Sequence, residues 1–211
     1  GSTHPLLQLH AQVASVLILL ITSDRGLCGG FNANMISAAL NLAKEKASAG
    51  LTVRFICVGR KGRDAVRKTS YEILESYGDI MGSFDFRLAA RLGGKVSQLY
   101  AAGECDEVHI VYGEFAGMSK QVPVCMGLLP VAPAVQDSAT PQSMTECIYE
   151  PDASTLLTEL LPRYVNVQIY RGLLDSSASE NAARMAAMDN ATRNCDELTN
   201  SLTLLYNKTR Q

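Results

Sequence analysis

The feature that most constrains this fold is the run Val13-Ala14-Ser15-Val16-Leu17-Ile18-Leu19-Leu20-Ile21, which is apolar at nearly every position rather than at alternate ones. A strand of that pattern must be covered on both faces, and its length is about half of the ~20 residues that a membrane-crossing helix needs. Leu51–Val58 and Val108–Phe115 repeat the signature. Between these runs the spacing turns helical. Asn32–Ser48 carries Met35, Ala38, Ala39, Leu42 and Ala43 and is closed by Gly50, and Phe84–Ala102 carries Leu88, Leu92, Val96 and Leu99 despite Gly93-Gly94. Gly59–Lys68 reads as a short polar helix and Tyr71–Leu74 as a brief third strand. Apolar strands separated by helices imply an α/β fold, a mostly parallel sheet with flanking helices. Gln121–Val131, with Pro123 and Pro130, suits an edge strand, and Pro133–Thr145 a surface loop.

From Asp152, a candidate N-cap after Glu150-Pro151, helical character runs to Gln211, with Pro162 a candidate kink and Gly172 a tolerated weak point. The residues beyond Pro162 would span about 65 to 70 Å, while an α/β domain of the preceding length is roughly 40 Å across. The helix must therefore project. Its projecting part carries Met185, Met188, Thr192, Cys195, Thr199, Leu202, Tyr206 and Thr209, spaced alternately by three and four residues, with Leu198 and Leu205 widening the stripe. Such a seam asks for a partner helix. The other helices are committed to the sheet, and the seam is too polar for a self-sufficient zipper. The chain thus divides into an α/β domain at 3–150 and a helix at 151–211 that packs on it and then projects.

The turn Ser23-Asp24-Arg25-Gly26-Leu27-Cys28-Gly29-Gly30-Phe31-Asn32 joins the first strand to the first helix, where many α/β proteins hold a phosphate. Its glycines do not make the dinucleotide fingerprint, the second strand ends in Val58-Gly59-Arg60-Lys61-Gly62 without an acid for a ribose, and no lysine follows Gly30 as in a phosphate loop. Cys28 precedes a helix and neighbours Arg25, yet no histidine stands near enough in sequence to suggest its base. The six cysteines form no Cys-x-x-Cys pair, and His4, His10 and His109 stand alone, so no metal or cofactor is expected and no catalytic residue is assigned. A net charge of -2 with scattered cations argues against nucleic acid. The remaining ligand reading is a nucleotide- or phosphate-binding α/β module using the Gly26–Asn32 turn, set against a structural junction in which the glycines permit close backbone packing.

That turn, the stretch Ser179-Glu180-Asn181-Ala182-Ala183-Arg184-Met185-Ala186-Ala187-Met188-Asp189-Asn190-Ala191-Thr192 and the closing Tyr206-Asn207-Lys208-Thr209-Arg210-Gln211 resemble the gamma-subunit family of the rotary proton-translocating ATP synthase, in its bacterial form. The likeness extends to His4-Pro5, Gln121-Val122-Pro123 and Tyr149-Glu150-Pro151-Asp152. It implies a Rossmann-like domain whose long helix is half of an antiparallel coiled coil, with the N-terminal helix of the pair and the last part of the C-terminal one outside this sequence. It implies a non-catalytic central-stalk rotor that couples proton flow to the cycling of catalytic beta subunits and influences ATPase activity. The implied partners are the alpha/beta hexamer, the epsilon subunit and the c-ring, on the cytoplasmic face of the bacterial inner membrane, which is met only through the complex. Asp24, Arg25, Leu27, Cys28 and Asn32 are then the expected contact with a beta subunit, joined by the helix face at 180–195. The cysteine-bearing regulatory insertion of chloroplast relatives is absent, so no thiol modulation is expected.

Overall fold

The computed structural model of the chain describes residues 4–118, 120–131 and 153–211. After a single helical turn at Pro5–Leu7, the order is β1 (Ser15–Ile21), α1 (Phe31–Ser48), β2 (Thr52–Val58), α2 (Arg60–Val66), β3 (Glu72–Tyr77), α3 (Phe86–Ala101), β4 (Glu107–Phe115), β5 (Gln121–Leu129) and α4 (Ala153–Arg210). The strands form one sheet in the order β3-β2-β1-β4-β5, parallel except for β5, which runs antiparallel to β4. The expected mostly parallel α/β sheet with a long C-terminal helix is what forms. The Pro133–Thr145 loop and the Asp152 cap lie outside the described residues.

β1 sits at the centre and shows why its sequence is apolar throughout. Leu17, Leu19 and Ile21 enter one core layer with Leu92, Val96, Val165, Ile169 and Leu173 of α3 and α4, while Val16, Ile18 and Leu20 enter the opposite layer with Phe31, Met35, Ala39 and Val66 of α1 and α2. Each such side chain contributes roughly 1.5 to 3 kcal/mol through burial.

The third strand continues to Tyr77 rather than stopping at Leu74. The polar Glu75-Ser76 pair looks like a strand end in sequence, but Glu75 accepts from Lys95 Nζ at 3.0 Å and from the Tyr77 hydroxyl at 2.5 Å, so its charge is neutralised at the sheet edge. The two helical glycines that looked like weak points mark close approaches. A Cβ on Gly93 would lie 1.8 Å from Asn166 Oδ1 of α4, and one on Gly172 would lie 3.0 Å from Ile110 Cδ1.

At the other end of the sheet Asp106 ties the N-terminal segment down. It receives Ala14 N–H at 2.8 Å and Ser15 N–H at 2.9 Å, and lies 2.7 Å from His10 Nδ1, whose ring stacks on Tyr100. Burial alone would raise the Asp106 carboxyl, but these hydrogen bonds outweigh it and hold the group at about 2.

α4 is one unbroken helix through Pro162, 58 residues and about 87 Å long. Leu161, Val165, Ile169, Leu173, Ser176, Ser179 and Ala183 are buried against the domain, and from Met188 onward every residue is exposed.

Candidate functional site: a glycine turn and an unpartnered helix

The turn after β1 lies at the C-terminal edge of the parallel strands, at the strand from which the sheet extends to β2 on one side and β4 on the other, where α/β folds place ligands. Its geometry is set by half-buried polar side chains. Asp24 accepts four backbone N–H groups, from Arg60 (3.1 Å), Asp79 (2.9 Å), Ile80 (3.1 Å) and Met81 (3.2 Å), and so joins the turns that follow β1, β2 and β3. Asn32, in the first turn of α1, closes the loop back on itself. Its amide donates to Ser23 Oγ at 2.8 Å and to the Arg25 carbonyl at 3.2 Å, while its Oδ1 accepts Ser23 N–H at 3.0 Å. Cys28 is 2% exposed beneath this network, with its sulfur 3.2 Å from Asn32 Nδ2. Asp24, Cys28 and Asn32 therefore shape the loop from within.

Two of the turn residues face outward. Arg25 is exposed and takes part in no ion pair among the described residues. Leu27 is 78% exposed and holds a left-handed backbone, φ 59°, which costs a side-chain-bearing residue roughly 1 to 2 kcal/mol. An apolar side chain held in solvent on a strained backbone is a feature that folding does not require. In the sequence all five residues stand as one group, because the division between inner and outer residues depends on loops that meet only in space.

The crevice where a dinucleotide would lie is filled by the protein itself. Ser176 and Ser179 of α4 hydrogen-bond the main chain of Gly113 in β4, Ala183 packs in the layer that holds Cys28 and Phe31, and Arg184 reaches to 3.4 Å of the Gly26 carbonyl. A polar groove of about 570 Å³ remains alongside, between Asp24, Arg25, Ser83, Ser177, Asn181 and Arg184. Arg184 is already paired with Glu180 at 2.8 Å, and Asp24 and Asp79 add negative charge, so the groove is poorly suited to a phosphate. No group of His, Cys, Asp and Glu among the described residues is arranged to hold a metal ion, and no described helix is long and apolar enough to cross a membrane. Burial pushes the Cys57 thiol up to about 12 and Cys105 to about 11, the opposite of what a nucleophile needs.

The second candidate surface is the seam of α4. Met185 (62% exposed), Leu202 (55%) and Tyr206 (65%) lie open, as do Met188, Thr192, Cys195, Thr199 and Thr209. The seam is longer than it looked in sequence. Continuing the same three-four spacing backward gives Asn181, Ala178, Leu174, Arg171, Val167, Tyr164, Leu160 and Leu157, all exposed on the side away from the sheet. In sequence this lower part is masked by the interleaved stripe that faces the sheet, and periodicity alone does not separate the two faces.

The comparisons with known proteins agree with one another. A family model described as ATP synthase matches residues 1–211. The ATP synthase gamma chain of Nitratidesulfovibrio vulgaris is 58% identical over 211 residues, covering 100% of this chain and 72% of that one. The chain belongs to the ATP synthase gamma-chain family. The gamma chain of Lawsonia intracellularis is 51% identical over 210 residues, again with 72% of its length covered. Among solved structures, a central stalk and c-ring assembly of the Tetrahymena thermophila mitochondrial ATP synthase matches with a TM-score of 0.64 at 28% identity, over 87% of this chain and 78% of that one. A rotor structure of the Euglena gracilis mitochondrial enzyme shares the fold, with a TM-score of 0.71 at 20% identity, over 98% of this chain and 80% of that one. As a gamma chain the protein is a component of the membrane-bound ATP synthase, its central-stalk rotor, and the phosphate-binding reading of the turn is not favoured.

Proposed function

We propose that this gamma chain is a non-catalytic shaft that couples proton flow through a membrane c-ring to conformational cycling of the catalytic beta subunits, and so influences ATPase activity. The observation that carries the proposal is the combination of gamma-chain identity along the whole sequence with a helix that leaves its domain bearing a long exposed seam. In this reading the division at 150/151 separates a foot from a shaft. The seam from Leu157 to Thr209 receives the N-terminal gamma helix, the shaft enters the alpha/beta hexamer, and the foot meets epsilon and the c-ring. The setting is the cytoplasmic face of a bacterial inner membrane. Contact with a beta subunit falls to Arg25 and Leu27, on a loop held in shape by Asp24, Cys28 and Asn32. A shaft of this kind needs no chemistry of its own, since its asymmetry biases partner states through contacts that differ with rotation angle.

The test is to assemble the full-length subunit carrying this sequence with its partner subunits and follow rotation driven by ATP hydrolysis, while titrating the isolated chain with ATP, NAD and a phosphate ester. Rotation without stoichiometric ligand binding is the expected result. Tight binding at the Gly26–Asn32 turn would favour a ligand-binding module instead.

A further inference from the structure

We infer, building on the rotor reading, that Ser176 and Ser179 lock α4 against turning about its own axis and form the joint through which torque passes between the sheet domain and the projecting helix. Apart from an exposed ion pair between Arg171 and Glu114 at 3.8 Å, the described contacts of α4 with the sheet are of two chemical kinds. Leu161, Val165, Ile169 and Leu173 are buried and apolar, and their attraction is non-directional. It opposes lifting the helix off the sheet far more than a small twist that exchanges one apolar neighbour for another.

The last buried turns are different. Ser176 and Ser179 are both 0% exposed. Gly113 N–H donates to Ser176 Oγ at 3.1 Å, and Ser179 Oγ donates to the Gly113 carbonyl at 3.1 Å. The pairing of β1 with β4 ends at Leu20 and Val111, so just beyond that end two helix side chains hold both main-chain groups of one strand residue. Hydrogen bonds are directional and costly to break where water cannot replace them, and turning the helix in either direction strains both at once.

The hydroxyls of the projecting half provide the contrast. Thr192, Thr199, Thr203 and Thr209 each bond the carbonyl four residues back in their own helix. That local bond is the default for a helical hydroxyl. Ser179 instead donates its hydroxyl to the sheet, and Ser176 accepts from it, at the point where the helix is about to leave it. Arg184, bonded to Glu180 at 2.8 Å and reaching the Gly26 carbonyl, supports the same collar one turn further on.

The experiment uses the full-length subunit in the assembled complex, with the alpha/beta ring fixed to a surface and a bead on the sheet domain. The readout is the angular spread of the rotor while it is stalled. In the Ser176→Ala/Ser179→Ala variant the spread widens, and exchange of the Gly113 amide accelerates about fivefold or more, the factor expected for one lost hydrogen bond. The single Ser179→Thr variant, which keeps the hydroxyl, retains the wild-type spread. Should the double variant fail to assemble, each single Ser→Ala variant is expected to widen the spread by a smaller amount. Wild-type spread in variants whose Gly113 amide exchanges faster overturns the joint. A wild-type complex that does not rotate at all contradicts the rotor reading itself, so the two failures are distinguishable.

Discussion

The two halves of α4 share one helix and one heptad phase but differ in what surrounds them. Between Leu161 and Ala183 the helix has a face buried in the sheet domain, and beyond Ala187 it has none. The lower half is held by tertiary packing, whereas the upper half has only helix propensity and surface pairs such as Arg193–Asp189 at 2.9 Å, each worth a few tenths of a kcal/mol. The long helix is thus a single secondary-structure element with two sources of stability, and its upper half has no tertiary packing among the described residues.

Substitutions in the two halves and in the glycine turn should differ widely in effect. Ile169→Ala, in the lower half, should cost about 2 to 5 kcal/mol in urea unfolding of this chain, since it opens a cavity under β1. A loss below that range would mean that the lower half is not part of the core. Asp24→Ala removes the acceptor of four backbone N–H groups and should cost about 2 kcal/mol, with faster amide exchange at Asp79, Ile80 and Met81. Unchanged exchange there would show that the loops hold without it. Leu27→Gly should raise stability by up to about 1 kcal/mol, because relief of the left-handed backbone exceeds the extra chain entropy of glycine. The same variant in the assembled enzyme should lower coupling if Leu27 makes the beta contact, and intact coupling would remove it from that surface. Leu202→Ala should change the stability of this chain by no more than about 0.5 kcal/mol, as expected for an exposed side chain, yet weaken capture of an added N-terminal helix.

Much of the fold was legible in the chain because its strands are buried on both faces and its helices keep a clear period. The apolar run at β1 and the spacing through Leu88, Leu92, Val96 and Leu99 each had one structural solution. What was not legible required contacts between distant segments. Asp24 becomes a hub only because loops 36 and 55 to 57 residues away come to the same edge of the sheet. Gly93 is a flaw in α3 by sequence alone, and only the fold brings Asn166 against it. The lower seam, from Leu157 to Asn181, was hidden by the sheet-facing residues interleaved with it. Cys28 and Asn32 looked like surface candidates because local sequence does not show which way a turn folds over its own side chains.

The central claim is that the upper half of α4 is half of a two-helix shaft. Hydrogen exchange along α4, measured on the 211-residue chain as a demonstrated monomer and again with the N-terminal gamma helix supplied, tests it most directly. Slow exchange is expected from Leu161 to Ala183 in both samples, and fast exchange beyond about Thr192 that becomes slow when the helix is added. Strong protection to Arg210 in the monomer alone, or no gain when the helix is added, would contradict it.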